Sequence, residues 1–205
     1  MRSRLVLALG GCVLSGCDLL FSLDHVEKRS DAPVSSDGLI DSVDAGEPCR
    51  ADYEVVAGAP PTSRYRFVNT MRIWEAAEAE CEDDSLGDIT HLAVLDDPNE
   101  MHAVRNYLIA KLFMETGGFF HAHVGYARNI GDAANAFYAV TGAAVPATRP
   151  PWAPNEPDNG GVPGTGETIT WFGRDEDLVD GPPTYEERYV CECDHLPVTK
   201  MFTLR

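Results

Sequence analysis

Four cysteines constrain this chain more than any other feature. Cys49, Cys81, Cys191 and Cys193 lie far apart in a sequence of 205 residues, and bonds among them dictate which distant segments meet. Four cysteines allow three pairings. Zinc is the rival use. However, Cys191-Glu192-Cys193 is a C-x-C, not the C-x2-C of common zinc sites, and no C-x2-C partner occurs elsewhere. The disulfide reading requires a compartment that keeps thiols oxidised.

The N-terminus supplies a route to one. Arg2 and Arg4 form a short basic region, and Leu5 to Leu14 an apolar one too short to span a bilayer as a helix. Leu14-Ser15-Gly16-Cys17 then resembles a bacterial lipobox. That implies a lipoprotein signal peptide over residues 1–16 and cleavage before Cys17. It also implies a lipid on Cys17 that holds the chain to a membrane through buried methylene groups. Cys12 leaves with the signal peptide. Residues 17–48 read as a lipidated, acidic, flexible tether. The stretch DAPVSSDGLIDSVDAGEP has few large apolar side chains and cannot offset its own ordering entropy. The implied location is a bacterial cell envelope, with the domain on the exported side. The net charge is −17 and no basic run occurs, which argues against nucleic acid. Excess acid suits solubility and divalent cations.

From Cys49 onward the pattern is that of an α+β domain. Tyr65 and Phe67 mark a strand. Thr70 is placed to cap a helix carrying Trp74, Ala77 and Cys81 on one stripe. His91 to Leu95 is a short apolar strand. Asp97, Pro98 and Glu100 open a second helix with Met101, Val104, Leu108 and Leu112 on its apolar face, stopped at Gly117-Gly118. Strands are predicted at His123–Tyr126, Phe137–Val140, Ile169–Phe172 and Tyr189–Cys193. Residues 141–167 form a long Pro/Gly-rich loop of the kind kept for function. No internal repeat is visible.

This order of elements resembles a C-type lectin-like domain. Trp74-Glu75-Ala76-Ala77 followed by Cys81 is similar to that family's first helix. Leu92-Ala93-Val94-Leu95 and Asn99-Glu100 resemble its next strand and helix start. His123-Val124-Gly125-Tyr126, Phe137 to Gly142, Trp152 with Glu156-Pro157-Asp158, and Tyr189-Val190-Cys191-Glu192 follow in the family's order. The resemblance implies two helices with antiparallel sheets and a long irregular loop over residues 49–195, and leaves 196–205 as a C-terminal tail. It implies a Cys81–Cys191 bridge, which leaves Cys49 for Cys193. The family's inner bridge is missing: Ile169 and Pro183 stand near its two positions.

The resemblance also implies a calcium site and a carbohydrate ligand at the long loop. Carried over, the metal ligands are Glu156, Asp158, Glu167 and Asp180. Trp152, Asn155, Glu156, Asp158 and Asn159 are expected at the ligand surface. Val179 departs from the pattern, because the family has an asparagine there. The alternative is a calcium-independent, protein-binding domain with a vestigial metal site. Catalysis is not expected. G-x-S-x-G, H-E-x-x-H and Walker sequences are absent, and nothing fixes Glu156 and Glu167 at a glycosidase spacing. The His121/His123 pair lacks a third metal ligand nearby, and Trp152 and Trp171 could each stack on a sugar ring, although burial is the commoner fate of a tryptophan.

Overall fold

The computed structural model describes residues 49–205, apart from 86, 88, 117–120, 147–150, 161–165 and 174. The expected signal peptide, Cys17, the expected tether and the expected Gly117-Gly118 stop lie outside the described residues.

Strand β1 (Arg64–Ile73) runs directly into helix α1 (Trp74–Glu82). Thr70 does not cap that helix. Beyond an irregularity after Val68, Arg72 and Ile73 still pair with Glu187 and Glu186. Pairing keeps the backbone extended to Ile73, which starts the helix without a side-chain cap. Trp74, Ala77 and Cys81 form the buried stripe, and the Trp74 indole donates to Val124 O at 2.8 Å. After β2 (Thr90–Leu92), α2 (Pro98–Thr116) opens as its sequence predicts. Asp97 Oδ1 accepts from Asn99 N at 2.7 Å and from Glu100 N at 3.2 Å.

Five more strands follow among the described residues: β3 (His121–Ala127), β4 (Tyr138–Ala139), β5 (Ile169–Gly173), β6 (Leu178–Gly181) and β7 (Glu186–Cys193). The sheet order is β1-β7-β3-β5-β6, with β2 on β7 and β4 on β3. Among the described strands only β3 and β7 pair parallel, so the sheet is mixed. The strand that closes the sequence pattern therefore lies inside the sheet. Both disulfides anchor there, as Cys49–Cys193 and Cys81–Cys191. Ile169 and Pro183 are both buried, so apolar packing occupies the region of the missing inner bridge.

Two buried carboxylates hold the β2 segment where its ladder to β7 ends. Glu78 Oε2 accepts from Leu92 N at 2.8 Å, and Glu192 Oε2 from Val94 N at 2.9 Å. Burial pushes each carboxyl up to about 8. Next to them, β3 crosses at a point only glycine can occupy. A Cβ on Gly125 would lie 2.2 Å from Leu92 O.

Residues 196–205 are not a free tail. Thr199 N and Lys200 N both donate to Val140 O at 3.0 Å, and Ile130 N donates to Thr203 O at 2.7 Å. Phe202 meets Trp74 edge-on at 5.8 Å. Leu204 is 1% exposed, and its carbonyl accepts from the Thr168 hydroxyl at 3.3 Å. One well-placed leucine and an aromatic ring are enough to dock the segment.

Candidate ligand-binding site on the long loop

The long loop is fastened at its base before it reaches the acidic residues. Leu178 N donates to Pro151 O at 2.8 Å, and Ala153 N to Leu178 O at 2.9 Å, so the loop lies alongside β6. Trp152 sits between these bonds and points inward. It is 1% exposed, donates to Pro146 O at 2.9 Å and packs edge-on against Phe137 at 4.9 Å. Its expected place at the ligand surface is therefore corrected. A side chain this buried supports the loop from below and presents no face to a ligand.

Above Trp152 the chain turns through Asn155 (φ 72°) and a cis Glu156–Pro157 bond. The turn brings Glu156 and Asp158 over Asp180 on β6. Asp180 is 3% exposed, and its two oxygens accept from Asp158 N and Asn159 N, each at 3.2 Å. Glu156 Oε2 also accepts from Asp158 N at 3.2 Å. One oxygen from each of Glu156, Asp158 and Asp180 can be chosen so that all three lie within 4.8 Å of one another.

Glu167 joins from the strand side, just before β5. Its Oε2 is buried with no hydrogen-bond partner among the described residues. Asn159 is exposed, but its side-chain oxygen is already engaged by Glu167 N at 3.2 Å and by the Arg128 guanidinium. Arg128 is 3% exposed and was not legible as a site residue. Nε donates to Glu167 O at 2.8 Å and Nη1 to Asp132 O at 3.1 Å, so one side chain ties β3's end to both arms of the loop. An arginine after an apolar strand carries no spacing signal for that role.

The carboxylates repel one another. Burial first, then Asp180 and Asp158, push Glu156 up to about 8. Burial first, then the same two charges, push Glu167 up to about 7. Such a group of hard oxygens, one of them buried and unpartnered, fits a divalent cation, which takes about six to eight oxygen ligands. Val179 contributes no oxygen and pairs with Trp171 across β5 and β6. The two strand histidines have other neighbours. His121 stacks with Trp171 at 5.7 Å. His123 sets its Nε2 3.1 Å from Arg72 O, and burial pushes it down to about 4.

Solved structures share this architecture. The C-type lectin CEL-I from Cucumaria echinata superposes with a TM-score of 0.56 at 24% identity, covering 71% of this chain and 97% of that one. The chain has a C-type lectin-like fold. The human scavenger receptor C-type lectin carbohydrate-recognition domain gives a TM-score of 0.54 at 19% identity, covering 70% of this chain and 97% of that one. A complex of SPL-1 with GlcNAc gives 0.51 at 18% identity, covering 71% and 95%. No family model and no curated protein matches the sequence. Within this lectin-like fold, the acidic cluster lies on the long loop and on β6.

Proposed function

We propose that this chain is a non-enzymatic binding module that recognises carbohydrate at the long loop with calcium as cofactor. The observation that carries the reading is the convergence of Glu156, Asp158 and Asp180 beside the buried, unpartnered Glu167 oxygen. These four residues would hold the ion. Bound there, calcium supplies a hard cation to which sugar hydroxyl oxygens coordinate. The protein's own part is to fix the carboxylates. Trp152 supports the loop from beneath, Arg128 ties its arms, and Asp180 holds the turn through two backbone N–H groups. Support from related folds is of the same kind: one solved neighbour is a carbohydrate-recognition domain and another is a complex with GlcNAc.

Two further elements of the proposal come from sequence. Lipid on Cys17 holds the protein to a membrane of a bacterial cell envelope, and the acidic segment 17–48 sets its reach. Cys17→Ser should move the protein from the membrane to the soluble fraction, and unchanged partitioning would refute the anchor. Calcium titration of the full chain by calorimetry tests the cofactor. Heat and a raised melting temperature are expected, and both should vanish in Glu156→Ala/Asp158→Ala. Val179 favours a second reading, calcium-independent protein recognition on the same loop. A wild-type chain with no calcium response would select it.

A further inference from the structure

The acidic cluster has a neighbour that calcium coordination does not use. A cavity of about 370 Å³ borders Glu156, Asp158, Glu167 and Asp180, and its other wall is aromatic, formed by Trp171 and Tyr185. The two rings stack at 5.5 Å, 17° from parallel. Tyr185 is 54% exposed, so its ring is open to a ligand. Trp171 is only 9% exposed, and its Nε1 has no hydrogen-bond partner among the described residues.

Charge narrows the ligand class. Four carboxylates face this region. Arg128 acts on Glu167 electrostatically, but its hydrogen bonds go to neutral oxygens: Glu167 O, Asp132 O and Asn159 Oδ1. With one dication bound and Arg128 counted, one negative charge remains. Val179, which also lines the cavity, offers no amide to a neutral hydroxyl. A residual negative charge beside an open aromatic face attracts an organic cation, by Coulomb's law and by the ring quadrupole together.

We infer, resting on the carbohydrate reading above, that the preferred ligand is a sugar bearing a free ammonium group, placed between the Tyr185 ring and the carboxylates. N-acetylation removes that charge, so a 2-amino sugar and its acetylated form make a matched pair. Monosaccharides avoid the general attraction of an acidic protein for polycations.

The test titrates the full chain, saturated with calcium, with the methyl glycosides of glucosamine and of N-acetylglucosamine at about pH 6.5 and low salt, followed by NMR. The amine form should bind about tenfold tighter. The gap should shrink at about 0.5 M salt. Tyr185→Ala should close much of it, Tyr185→Phe should keep it, and Val179→Asn should shift preference toward the acetylated form. Equal or tighter binding of the acetylated sugar overturns the inference while the carbohydrate reading stands. A gap unchanged in Tyr185→Ala overturns the placement of the cation. Binding of neither sugar overturns the inference, and absence of a calcium-induced thermal shift in the same samples would overturn the underlying reading as well.

Discussion

Glu156→Gln should make the calcium-free protein more stable at high pH and weaken its response to calcium, because the amide oxygen that remains carries no charge. Oxygens of Glu156, Asp158 and Asp180 lie within 4.8 Å of one another. Two unit charges at that distance repel by about 0.9 kcal/mol in bulk water and by more where solvent is excluded. Asp158 and Asp180 together thus cost the ionised Glu156 about 2 kcal/mol at low salt. Screening at this part-exposed site brings the expected gain to about 1–2 kcal/mol. The pH window follows from the raised carboxyl. Glu156 has a folded pKa of about 8 against an ordinary value of 4.5. The folded state therefore holds the extra proton, and the stability this gives is complete below about pH 4.5 and lost as pH rises through about 8. Buried Glu78 and Glu192 shift in the same direction, but they are common to both proteins and cancel in the difference. Urea unfolding in EDTA at about pH 4, 7 and 9 measures it. The variant should match wild type at the lowest pH and exceed it at the highest. Calcium at a hundredfold excess over its wild-type dissociation constant should then add about 2.7 kcal/mol to wild type and less to the variant. A variant less stable than wild type at pH 9 without metal, or equal stabilisation of both by calcium, would refute the reasoning.

Three more predictions concern the scaffold. Gly125→Ala, which puts a methyl 2.2 Å from the Leu92 carbonyl, should cost about 3 kcal/mol and lower the denaturation midpoint; an unchanged midpoint would contradict the close approach. Cys81→Ala/Cys191→Ala opens a bridge between residues 110 apart and should lose about 4–5 kcal/mol by the chain-entropy model, read by thermal unfolding. Leu204→Ala should cost about 2–3 kcal/mol, whereas a free tail would tolerate it without change.

Periodic and stereotyped features were legible in the sequence. Trp74, Ala77 and Cys81 repeat at helical spacing, and Asp97-Pro98 announces a helix start, so both helices could be read. The end of β1 could not. Asn69 to Arg72 are exposed polar or flexible residues, and what keeps Arg72 and Ile73 extended is pairing with a strand more than a hundred residues away. Segment 196–205 failed for a related reason, since docking by Phe202 and Leu204 has no period to detect. At the site, Glu156, Asp158 and Asp180 stood in an ordered pattern and the structure brings them together. Trp152 was placed in the right loop but given the wrong side, because sequence does not say which way a loop side chain turns. Arg128 acts on residues 31 and 39 positions away, a distance local reasoning does not span.

The two disulfides also set a mechanical route through the domain. A pull on the backbone preceding Cys49 has, besides the chain that leads on to β1, a covalent path through the sulfur bond to Cys193 into β7, an inner strand. Two positions back, Cys191 shares that strand with the bond to α1. Tension applied at that end is thus received in part by β7, at the middle of the sheet. Under such a load the rate of forced unfolding, rather than equilibrium stability, measures how long the sheet holds.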